Sequence, residues 1–213
     1  MLNLSLPRTF ATIVSYFFHP ILMATLIFTM LLYQFPEIVY SVKGEMRLNF
    51  IGVVFLMTFV IPLIPVLTLK KSGVIENLQV ESQKERILPF IFTIIIYCLD
   101  TYVFYSTFKQ DGFFVLIMIL ITFNMLVLSI INLWWKISIH AAGIGGVLAF
   151  YIVCSMLNAL QFDLYLLLII LICSGLVLTA RLELNSHTIT QVIVGYAVGL
   201  CIGLSSLIYF NLL

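Results

Sequence analysis

Apolar and polar positions fall in long blocks along this chain. Seven apolar runs, at roughly 10–34, 48–69, 87–108, 113–134, 137–158, 162–179 and 189–212, are separated by short polar islands. Runs of roughly 20 residues are long enough to cross a bilayer core of about 30 Å as helices. A barrel is excluded, because its strands would be shorter and would alternate apolar with polar residues. The pattern therefore predicts an all-α fold, a polytopic transmembrane helical bundle of about seven spans (six to seven). It forms a single transmembrane domain over 1–213, without internal repeat or linker.

Composition strengthens this picture. The chain is 63% hydrophobic and 9% charged, with mean hydropathy +1.21, against about 25% charged residues in soluble domains. No separate soluble domain fits. The first run is expected to stay as a span, because it continues past signal-peptide length without a small-residue cleavage site. A net charge of +1 gives nucleic acid nothing to bind, and membrane lipids are the expected partners. Cys98, Cys154, Cys173 and Cys201 all lie inside apolar runs. Their spacing fits no zinc pattern and disulfides are not expected.

Several residues mark the spans. Pro20, after His19, is expected to kink the first one, with His19 packed or interfacial. Pro62 and Pro65 predict a bend in the second. Asp100 is the one acid deep in a span, and must be paired, protonated or facing a polar cavity. A hydrogen bond to Asn124, at similar depth on the returning span, would satisfy it. Trp134 and Trp135 mark the headgroup level. The small residues of AAGIGG at 141–146 predict close helix packing.

Three polar islands carry the candidate chemistry: ESQKER at 81–86, WKISIH at 135–140 and ARLELNSHTITQ at 180–191. Two crossings separate each from the next, so all three share one membrane face. That face carries seven Lys and Arg residues and the other three, which would make the islands cytoplasmic by the positive-inside bias. Four of the seven are candidate anion ligands, however. Without them the count is three against three, and orientation stays open.

Together the islands offer His140 and His187, with Arg181, Arg86, Lys84, Lys136 and Ser138. Arginine and lysine suit phosphate oxygens, the more so at a low-dielectric edge. Histidine can serve as nucleophile or proton donor near neutral pH. The helix start after His187 adds a favourable dipole for an anion. The set points to hydrolysis of a phosphate ester or anhydride, or to interfacial charges and helix caps without chemistry.

Arg181-x5-His187, with Ser138-Ile139-His140 two spans earlier, resembles the second and third signatures of the type 2 phosphatidic acid phosphatase superfamily. The match runs over roughly 139–200, within a core of about 81–213, and is similar to a small bacterial integral-membrane branch. It implies an inner-membrane enzyme hydrolysing a lipid-linked phosphate, such as a polyprenyl diphosphate or a phosphatidate, through a phosphohistidine. By the same resemblance, His187 is the nucleophile and His140 protonates the leaving group. Arg181 and Ser138, with Lys136, Arg86 and Lys84, hold phosphate oxygens. No metal or other cofactor is implied, since basic side chains supply the stabilisation.

The chain departs from that pattern in several places. Gln191 stands where the superfamily has an aspartate that orients and charges the nucleophilic histidine. Glu183 could substitute if residues 183–187 were helical, since i and i+4 share a face; Asp100 is a more distant candidate. Ile137, Ile139 and Ala180 replace proline, glycine and serine. Seven residues before Arg86 stands Gln79, where the first signature has lysine. These departures leave two further readings: a member that binds phospholipid or assists envelope assembly without turnover, and a transporter using Asp100 and the histidines as a proton path.

Overall fold

The computed structural model describes residues 6–78, 80 and 82–211; Gln79 and Glu81 lie outside them. Among the described residues there are helices and no strands. They are α1 (Arg8–Phe17), α2 (Leu22–Gln34), α3 (Gly44–Lys71), α4 (Ile87–Thr107), α5 (Gly112–Trp134), α6 (Ile139–Leu157), α7 (Leu164–Glu183), α8 (Ile189–Leu204) and α9 (Ser206–Asn211). Six helices are long and apolar enough to cross a membrane, or up to seven spans if the bent pair α1–α2 counts as one. The protein is an all-α polytopic membrane protein. All four cysteines are free.

Two expected boundaries change. The first span is broken, not merely kinked: α1 and α2 meet at 62°. Pro20 has no N–H to give the helix, and the chain turns there, His19 N bonding to Tyr16 O and Leu22 N to His19 O. The sixth span continues to Glu183, so Arg181 sits in its last turn. Its charge ends the apolar run but suits a helix C-terminus.

The prolines of α3 do not end the helix. A π turn occupies Leu56–Val60, and the span runs on through Pro62 and Pro65 to Lys71. Pro62 cannot donate to the carbonyl four residues back. That carbonyl, Thr58 O, accepts instead from the Tyr97 hydroxyl at 3.1 Å. A neighbouring helix thus satisfies the freed group, as a proline inside a bilayer requires.

Hydrogen bonds at the two ends match the even crossing count. At one end Ser41 N donates to Asp111 Oδ2 at 2.6 Å and Asn158 Nδ2 to Glu37 Oε2 at 3.0 Å. At the other, Gln83 Nε2 donates to Asn132 O at 2.6 Å and Asn132 Nδ2 to Gln83 O at 3.1 Å. The three islands gather at this second end.

Helices α6 and α8 pack closely along their lengths, both starting from the island end. A Cβ on Gly199 would overlap the Ala142 carbonyl, and one on Gly145 the Tyr196 carbonyl. The small residues of AAGIGG therefore do bring helices together, through Gly145. A Cβ on Gly146 would also come nearest α8, at Gly199 O 3.9 Å away, one on Gly143 would press on Met23 of α2, and both glycines border an internal cavity.

Candidate functional site

The third island is a helix–turn–helix join with both ends capped. At the end of α7, Asn185 takes a left-handed φ of +52°. Ser186 N bonds back to Arg181 O at 3.2 Å and Asn185 N to Leu182 O at 2.9 Å, a Schellman closure. Two residues later Thr188 caps α8 in a capping box with Gln191. His187 is held between the two caps and is 7% exposed.

Gln191 settles the protonation pattern of His187. Its Oε1 accepts from Thr188 N at 3.1 Å; a backbone N–H can only donate, so this atom is the carbonyl oxygen. The same oxygen lies 3.1 Å from His187 Nδ1, which must therefore carry the hydrogen. Nε2 is left with its lone pair, 3.5 Å from an Arg86 Nη2. Burial first, then the guanidinium groups of Arg86 and Arg181, and Lys136, lower the His187 pKa to about 3, against the opposing hydrogen bond from Gln191. The ring is neutral at neutral pH, with its basic nitrogen turned toward a cation.

Arg86 is the junction of the site. It is 2% exposed; Nε donates to Val80 O at 2.8 Å and Nη1 to Ile137 O at 3.1 Å. Val80 holds its carbonyl there with a φ of +44°, a strained conformation for a β-branched residue. Ile137 begins the approach to α6. Arg86 thus joins the first island to the second although two spans intervene, because the α4–α5 hairpin returns the chain to the same face.

The second island supplies Ser138, His140 and Lys136. Ser138 is fully buried and caps α6, its hydroxyl accepting from Ala141 N at 3.4 Å. His140 Nε2 lies 3.1 Å from Ser15 O, a carbonyl that can only accept, so Nε2 carries the hydrogen. His140 Nδ1 is buried without a hydrogen-bond partner. Arg181, 1% exposed, donates from Nη1 to Ser15 Oγ at 3.2 Å. His19 stands edge-on to His140, ring centroids 5.6 Å apart. Its Nδ1 accepts from Ile21 N at 3.4 Å. The field of Arg181 reaches His19, His140 and His187.

No family model, curated protein or solved structure matches this chain.

Arg86, Ser138, His140, Arg181, His187 and Gln191 come together. Lys136 lines a shallow cleft with His187 and Gln191. Lys84 is exposed on the loop before α4. Glu183 ends α7 and the Schellman turn follows it, so the helical register that would set it below His187 is absent. Asp100 lies about 21 Å along α4 from Arg86 at about 1.5 Å per residue, outside the site. Its Oδ2 is buried without a hydrogen-bond partner, as is Asn124 Oδ1, so the bond expected between them does not serve these two atoms. Among the described residues no three His, Cys, Asp or Glu side chains gather as metal ligands would.

Three contributors were not assigned to the site from the sequence. Ser15 and His19 come from the broken first span, and only the His19-Pro20 pair inside an apolar run hinted at them. Ser186, next to His187, has a buried hydroxyl without a hydrogen-bond partner.

Proposed function

We propose that this protein is an integral membrane phosphatase acting on a lipid-linked phosphate or diphosphate, in a bacterial inner membrane. The observation that carries the proposal is the His187 ring, with Nδ1–H held by Gln191 and the Nε2 lone pair turned to the buried Arg86. A phosphate drawn between Arg86 and Arg181 meets a neutral, aimed nucleophile in a site of low dielectric. Nε2 attacks phosphorus and the ester P–O bond breaks. His140, protonated on Nδ1 while its Nε2–H stays on the Ser15 carbonyl, gives that proton to the leaving oxygen. Water, giving a proton to His140 Nδ1, then attacks phosphorus and breaks the P–N bond, releasing phosphate and restoring both histidines.

Gln191 favours a second reading. A neutral amide orients the ring but does not stabilise an imidazolium, so the pocket would hold a phospholipid headgroup without turning it over. Purified protein offered lipid phosphates separates the two. Phosphate release that disappears in His187→Ala supports the enzyme, and release that survives it removes His187 as nucleophile. Tight binding without release, lost in Arg181→Ala, supports the binding protein.

A further inference from the structure

An apolar cavity of about 310 Å³ runs into the bundle beneath the site. Its head end is formed by Arg86, His140 and His19, and Tyr97 and Asn124 line it deeper in. Along α4, Arg86 to Tyr97 is a rise of about 16 Å, around half of a bilayer core of about 30 Å. The cavity is thus cationic and imidazole-bearing at one end and hydrocarbon-like for most of its length. His140 Nδ1, buried and without a hydrogen-bond partner, marks the end where a polar group is lacking.

Size restricts the occupant. An apolar cavity of about 150 Å³ takes one benzene, so twice that volume takes on the order of a dozen carbon atoms. One chain of that length fills the cavity, and the second chain of a glycerolipid would have to lie outside it.

We infer that this cavity holds a single apolar chain of an amphiphilic phosphate, about a dozen carbons of it counted from the head, with the phosphate at Arg86. The ligand class is a single-chain lipid phosphate, prenyl or alkyl, and not a two-chain phosphatidate. Gly146, where a Cβ would meet nothing closer than 3.9 Å, leaves room in the wall of α6 for the chain. The inference rests on the phosphate reading of the site and fixes what is attached to that phosphate.

The probe is dodecyl phosphate carrying a photoreactive diazirine at the chain end, added to the protein in lipid nanodiscs. Labelling is expected on α4 near Tyr97 and on α5 near Asn124. Excess dodecyl phosphate should compete it away, and a two-chain phosphatidate should not. Gly146→Leu should lower labelling at least tenfold, since Gly146 lines the cavity and a Cβ there makes only an ordinary contact with Gly199 O at 3.9 Å. Leu120→Trp, from the facing wall, is the second variant should the first misfold. Labels confined to exposed positions such as Ile95, Leu99 and Ile119 would overturn the inference, as would equal competition by phosphatidate. Internal labelling without phosphate release from any substrate would remove the enzyme reading and leave this one standing. Release without internal labelling would do the reverse.

Discussion

His187 and His140 belong to one candidate site but are wired in opposite ways. His187 is held by its own neighbourhood: Gln191, four residues on and part of the cap of α8, fixes Nδ1–H and turns Nε2 toward Arg86. His140 is held from far away: Ser15, 125 residues earlier, accepts its Nε2–H and leaves Nδ1 open. The first arrangement leaves the Nε2 lone pair beside a guanidinium, where a phosphate is proposed to bind. The second fixes one proton and leaves the opposite nitrogen to exchange another. The difference is what a nucleophile and a general acid each need, and it depends on the broken first span being present.

The sharpest test of the contrast is substrate-dependent. His187→Ala should lower phosphate release by at least about 10³-fold on every substrate. His140→Ala should lose about 10²–10⁴-fold on alkyl phosphates and far less on an activated aryl phosphate, whose leaving oxygen needs no proton. Equal losses on both substrates would erase the distinction.

Gln191 sets the next effect. Gln191→Ala removes the acceptor of two neutral hydrogen bonds, from His187 and from Thr188, and a loss of about tenfold in kcat is expected from the freed ring. Gln191→Asp places a carboxylate against Nδ1 and should raise kcat, by stabilising the imidazolium character that grows as Nε2 bonds to phosphorus. A nitrogen NMR spectrum of His187 should show the Nδ1–H tautomer in the unmodified protein; the Nε2–H form would break the comparison at its root.

Ser15→Ala keeps the carbonyl that holds His140 and deletes the hydroxyl that holds Arg181. KM should rise about tenfold or less, with kcat changed little, because the defect lies in anion binding. A fall in kcat with KM unchanged would mean that Ser15 acts through His140 instead.

The smallest effect is on stability. The folded protein lowers the His187 pKa from 6.5 to about 3, so between those values the unfolded chain takes up a proton that the folded one refuses. Stability tied to this group is complete above about 6.5 and declines as pH falls toward about 3. Thermal unfolding in detergent should show that decline, and His187→Asn should reduce it.

Much of the bundle was legible because its spans announce themselves by length and apolarity. The even crossing count also placed the three islands on one face, and the contacts of Arg86 with Ile137 and His187 agree. Boundaries were less legible: Arg181 ends an apolar run without ending its helix. The candidate site divides along the same line. Gln191 was placed beside His187 by the resemblance, which sets an orienting side chain four residues after the histidine. Ser15 and His19 could not, since nothing local says which helix a broken span will lean against. The role of Arg86 was obscured because its neighbours do not follow the expected motif, while its position depends on a hairpin of two whole spans.

The contact between α6 and α8 has a mechanical consequence. Both helices begin beside the chemistry, at Ser138 and His187, and Gly199 lies about 12 Å below Gln191 along α8 at about 1.5 Å per residue. Since a Cβ at Gly199 would run into the Ala142 backbone, this glycine acts as a thickness gauge for the gap between the two histidines. One added methyl there, against the backbone of Ala142 two residues from His140, would push α6 and α8 apart and change the spacing of His140 and His187.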